Sequence, residues 1–194
     1  MKKTKKALAF LLTLMMILSS FTGLIVSAET ELPDGAKFTQ VNDYQIEGSE
    51  FFIYVASELY SPSPMLTPII YVYPDAPYAS REEAWNELVD LGLLDIAEAE
   101  RAAVIMLNPV GEEWGQDDID VYESTHDYVS FKTGAEKLTY YNLMYAIGEG
   151  SGSTFINNYL SANCKRIAGV LTFGGTIDSS VERPYALPAY LVGQ

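Results

Sequence analysis

Asn142–Ser153, NLMYAIGEGSGS, decides the reading of this chain. Leu143 to Ile147 is an apolar run with strand character, Gly148, Gly150 and Gly152 make a tight turn, and an amphipathic segment follows from Thr154. Strand, glycine turn and helix in immediate succession form a sharp corner that raises one side chain above the end of a sheet. Corners of this kind that carry a catalytic serine spell G-x-S-x-G. Here Gly148–Gly152 spells G-E-G-S-G, with Gly150 in the central place and Ser151 one step late.

Working outward, the same alternation recurs. Pro68–Tyr73 (PIIYVY) and Ala102–Asn108 (AAVIMLN) are continuous apolar runs rich in β-branched and aromatic residues, the pattern of strands covered on both faces. Between them, Ser80 followed by Glu83 forms a capping box that starts a helix over Arg81 to about Leu91. Ala84, Leu88 and Leu91 are its apolar stripe, Gly92 stops it, and a short helical turn covers Ile96–Glu100. Asp117, Asp118 and Asp120 suit the first turn of another helix, with Ile119, Tyr122, His126 and Val129 on one face. Beyond the corner come a helix over Thr154–Leu160, with Ser153 as its N-cap, a strand over Ile167–Phe173 and a further strand beginning at Ala189–Val192. Ahead of all this, Tyr44–Glu47 and Phe51–Glu58 around Gly48-Ser49 read as a β-hairpin, and Ser61–Pro64 as a loop. The order predicts an α/β fold, a mainly parallel sheet with helices on both faces in three layers. The single sequence shows no internal repeat.

The first 28 residues read as a secretory signal peptide: four lysines within Met1–Lys6, an apolar run from Ala7 to Val26, and small residues at Val26-Ser27-Ala28. An uncleaved anchor is the rival reading, since about 20 apolar residues span a bilayer. With cleavage the protein is secreted and carries no membrane segment. Residues 29–42 then form a flexible leader and 43–194 one domain, long enough to bury a sizeable core. Without the signal's four lysines, eight basic residues face 26 acidic ones, a net charge of −18. Such a surface repels nucleic acid and anionic membranes. The single cysteine, Cys164, excludes disulfide frameworks and cysteine-rich metal sites.

The corner, the hairpin ahead of the parallel strands, and the loop Tyr73-Pro74-Asp75-Ala76 after the third strand together resemble the α/β-hydrolase superfamily, in its secreted esterase and polyhydroxyalkanoate-depolymerase branch. The likeness covers about Tyr44–Val192. It implies carboxylic ester hydrolysis as the family activity, a small or polymeric ester as substrate, and no cofactor. It places Gly148, Glu149, Gly150 and Gly152 in the nucleophile elbow, and oxyanion-hole amides near Asp75, Ala76 and Ser151. It also implies that the chain is C-terminally incomplete, stopping at strand seven. The family orders its triad as serine, acid, histidine. Here Gly150 stands at the nucleophile's place and no histidine follows the elbow. A serine hydroxyl without a base is a poor nucleophile at neutral pH. The expectation is therefore an inactive relative, with a non-catalytic binding protein on the same scaffold as the alternative.

Individual residues carry the remaining readings. Ser151 is a displaced nucleophile or a turn serine that caps the helix. Asp178 follows the sixth strand, where some relatives place their acid; a loop aspartate is the plainer reading. Glu149 is a site carboxylate or a turn residue, and His126, the only histidine, is a base or a packing residue. A calcium loop counted from Asp117 would need Gly and Glu where Tyr122 and Tyr128 stand, so no metal is expected. A dinucleotide fingerprint would need Gly where Ser153 stands. Tyr71, Tyr73, Tyr78, Tyr140, Tyr141 and Tyr145 would line a cleft or pack on the sheet.

Overall fold

Among the described residues, the apolar runs become the centre of one seven-stranded sheet. A computed structural model describes residues 30–59, 67–132, 142–163, 166–183 and 188–192. The signal segment, the Ser61–Pro64 loop, Tyr140, Tyr141 and Cys164 lie outside the described residues. Contacts divide the chain into two units, Met1–Glu31 and Leu32–Gln194. The architecture is that of the second.

Its strands are β1 (Lys37–Asn42), β2 (Glu50–Val55), β3 (Thr67–Tyr73), β4 (Ala103–Leu107), β5 (Asn142–Glu149), β6 (Ile167–Phe173) and β7 (Ala189–Val192). Their spatial order is β1-β2-β4-β3-β5-β6-β7. β2 alone runs against the others: it pairs antiparallel with β1 and β4, and every pair from β4 to β7 is parallel. This is the expected α/β fold with its antiparallel start.

The helices are α1 (Arg81–Asp90), α2 (Leu93–Glu100), α3 (Asp118–Asp127) and α4 (Gly150–Phe155). A π-helical turn, Tyr128–Lys132, extends α3. A second, Ile156–Leu160, and a final turn, Ser161–Asn163, extend α4. Parallel crossovers are right-handed. The step from β3 to β4 runs one way along the sheet and those from β4 to β5 and from β5 to β6 the other, so α1 and α2 cover one face and α3 and α4 the opposite one. Two cores follow. Tyr78, Ala84, Leu88 and Leu93 pack with Phe52, Ile70, Val72 and Met106. Val121, Tyr122, Phe155 and Ile156 pack with Ile69, Tyr71, Ile105 and Met144 on the other side.

Local expectations meet the structure unevenly. The Ser80 cap forms, its Oγ accepting from the Glu83 amide at 3.1 Å, while Glu83 Oε2 accepts from the Ala79 amide at 2.7 Å. Gly92 takes φ +67 and ends α1. Leu91, however, is exposed, because it sits on the cap beyond the buried stripe. Residues 37–42 are no leader. Lys37–Asn42 is a full edge strand, and Tyr44–Glu47 is the connection, since Asp43 and Gln45 take positive φ (53° and 60°) that a strand cannot hold. The Asp43 carboxylate accepts from the Gly48 amide and closes that connection.

Candidate active site at the β5 corner

In a doubly wound sheet the natural crevice lies at the C-terminal strand ends, where neighbouring strands send their connections to opposite faces. Here that point is between β3 and β5: β3 leads to α1 on one face, β5 to α4 on the other. The loop Pro74–Ser80 and the Gly148–Gly152 turn meet there.

Glycine makes the meeting possible. Gly150 takes φ +49, and a Cβ on it would overlap the Asp75 carboxylate. A Cβ on Gly152 would overlap the Tyr73 carbonyl, so α4 starts directly against the end of β3. At Gly148 a Cβ would come within 2.6 Å of Ile156 Cδ1. The helix begins at Gly150, four residues earlier than expected, which places Ser153 inside it. Ser153 is therefore no N-cap. Its buried Oγ donates to the Phe173 carbonyl at 3.0 Å and accepts from the Phe173 amide at 3.1 Å, tying α4 to the end of β6.

Ser151 and Asp75 are brought together through both the carboxylate and the backbone carbonyl of Asp75. The Ser151 amide donates to Asp75 Oδ1 at 2.6 Å, and the Ser151 hydroxyl donates to the Asp75 carbonyl at 2.5 Å. Ala76 stands exposed beside Asp75. The loop is anchored on both sides. Trp114 Nε1 donates to the Pro74 carbonyl at 2.8 Å. Asn108 Oδ1 accepts from the Tyr78 amide at 2.8 Å, and its Nδ2 donates to the Tyr78 carbonyl and to Glu50. The Trp114, Tyr73 and Phe155 rings pack together, with centroids 5.1 to 5.3 Å apart. Neither Trp114 nor Asn108 stands in a sequence motif that assigns it a role at the corner. The signal for Trp114 was a large aromatic in an otherwise polar loop.

The other candidates stay apart from this pair. His126 is buried on α3, its Nδ1 3.4 Å from the Tyr71 hydroxyl and its Nε2 3.4 Å from Ser130 Oγ, stacked on Tyr122. Burial, helped by the charge of Arg166, lowers its pKa. Asp178 lies on the loop after β6. Its Oδ1 accepts from the Ser180 hydroxyl and amide, which hold the carboxyl below its ordinary range, and its own amide donates to Asn158. Glu149 is exposed at the end of β5. Asp118, expected only to serve its helix terminus, is buried and accepts from the Val110 and Gly115 amides, closing the Trp114 loop. Among the described residues, no group of three acidic, histidine or cysteine side chains is placed to hold a metal ion. Among them too, no helix is long and apolar enough to cross a membrane.

The sheet order, the lone antiparallel β2 and the glycine corner after β5 define an α/β-hydrolase type of fold. No family model matches the chain, and no curated protein matches its sequence. Solved structures do. A ferulic acid esterase superposes with a TM-score of 0.52 at 10% identity, over 71% of this chain and 58% of its own. An acetyl xylan esterase from Aspergillus awamori superposes with a TM-score of 0.51 at 14% identity, over 77% of this chain and 57% of its own. The chain thus spans less than three-fifths of the length of these neighbours, and at such identities the likeness is one of fold.

Proposed function

We propose that this chain is an exported member of the esterase-type scaffold that binds ester-bearing molecules without hydrolysing them. One observation carries the reading: the nucleophile's corner holds Gly150, and the only histidine of the chain is buried against Tyr71 and Ser130. Covalent ester hydrolysis needs a nucleophile within hydrogen-bond reach of a base. Ser151, the hydroxyl next in sequence to Gly150, donates to the Asp75 carbonyl instead. The fold neighbours are esterases, which supports a carboxylic ester as the ligand class, and the lysine-led apolar leader supports export. The test is hydrolysis of p-nitrophenyl acetate by the purified chain beside Ser151→Ala. The expected outcome is no turnover above the variant. Turnover that disappears in Ser151→Ala would overturn the reading.

A further inference from the structure

Asp75 fills two places that ester chemistry at this corner requires. A side chain at position 150 would project into its carboxylate: a Cβ there overlaps Oδ1 and Cγ and lies 2.9 Å from Oδ2. The Ser151 amide, which in this type of corner faces a developing oxyanion, donates to Asp75 Oδ1 at 2.6 Å. The Ser151 hydroxyl is taken by the carbonyl of the same residue. Asp75 is also held in place, because Trp114 fixes the residue before it and Asn108 grips Tyr78 three residues after it.

We infer that Asp75 is an internal plug, an autoinhibitory contact that occupies both the nucleophile's side-chain volume and the oxyanion amide. This rests on reading the chain as non-hydrolytic and adds a cause: restoring a nucleophile at position 150 leaves the corner closed until Asp75 is removed.

A thiol tests this without a histidine, because a thiolate is nucleophilic by itself. Gly150→Cys and Gly150→Cys/Asp75→Ala are compared, both in a Cys164→Ser background, by single-turnover reaction with p-nitrophenyl acetate. The thiolate sulfur attacks the acetyl carbon, the bond to the aryl oxygen breaks, p-nitrophenolate leaves and a thioester remains on the protein. The expected burst is at least tenfold faster in the double variant. Equal rates in two folded variants would overturn the plug. A Cβ at position 150 could unfold the corner, so a second comparison keeps Gly150. Amide hydrogen exchange at Ser151, followed by NMR, should quicken at least tenfold in Asp75→Ala. An unchanged exchange rate would also sink the inference. The two ideas fail separately: equal burst rates remove the plug and leave the non-hydrolytic reading standing, whereas turnover by the unaltered chain removes that reading.

Discussion

His126 shows how one residue changes meaning between sequence and structure. As the only histidine it is the natural choice for a base, yet its ring is buried between Tyr71, Tyr122 and Ser130. Burial is the main cause of its lowered pKa, Arg166 adds to it, and the neighbouring Asp127 opposes it. The folded protein therefore resists a proton that the unfolded chain accepts near pH 6.5. Stability from this group is present above that pH and is lost as pH falls from about 6.5 toward the lowered folded value. Urea unfolding of the unaltered chain and of His126→Gln at pH 7.5 and pH 5 checks this. The difference between them should move against the unaltered chain on acidification, by at most about 1.4 kcal/mol per pH unit within that window. A difference independent of pH would show that the ring titrates normally. The Asp75 contact has the opposite history. Nothing near Asp75 in the sequence points to its carboxylate, because its partner lies 76 residues away and the loop is positioned by Trp114 and Asn108.

Among the elements, α4 is joined to the sheet by a buried polar tie. Ser153 is wholly buried and satisfies both backbone groups of Phe173, joining the first turn of the helix to the last residue of β6. Ser153→Ala leaves both groups without that partner. The expected loss is about 1–3 kcal/mol, near the lower end if water reaches the half-exposed strand end. Equilibrium urea unfolding would measure it, and a loss below about 0.5 kcal/mol would mean that the tie contributes little. The cores of the elements were legible: β3, β4, β6 and β7 fall on their apolar runs, and α1 starts at the residue its capping box marks. The ends were not. β5 was expected to stop at Ile147, where the apolar run breaks, but Gly148 pairs with both Tyr73 and Thr172, so ladders on either side carry the strand on to Glu149. β1 was missed because KFTQVN reads as polar. It is an edge strand that buries Phe38 and pairs on one side only.

At the scale of the whole molecule, excess negative charge is the property the sequence stated most plainly, and the structure concentrates part of it near the corner. Glu87 on α1 has its pKa raised, first by burial and then by the charges of Glu149, Asp90 and Glu83. Burial and the charges of Glu87, Glu149 and Glu83 also push up the buried Tyr78 hydroxyl. A carboxyl whose folded pKa is raised favours the native state while it is protonated. Its contribution therefore falls as pH rises from about 4.5 through the raised folded value. Removing one charge should relieve the others. Glu149→Gln is expected to stabilise the chain at pH 7 by a few tenths of a kcal/mol, the scale of partly exposed charge interactions. The gain should shrink at pH 4, where Glu87 holds its proton, and again in 1 M salt, where the screening length drops to about 3 Å. Thermal unfolding under the three conditions reads all of this. A gain that persists undiminished at pH 4 and in high salt would assign the effect to packing at the end of β5 and not to charge.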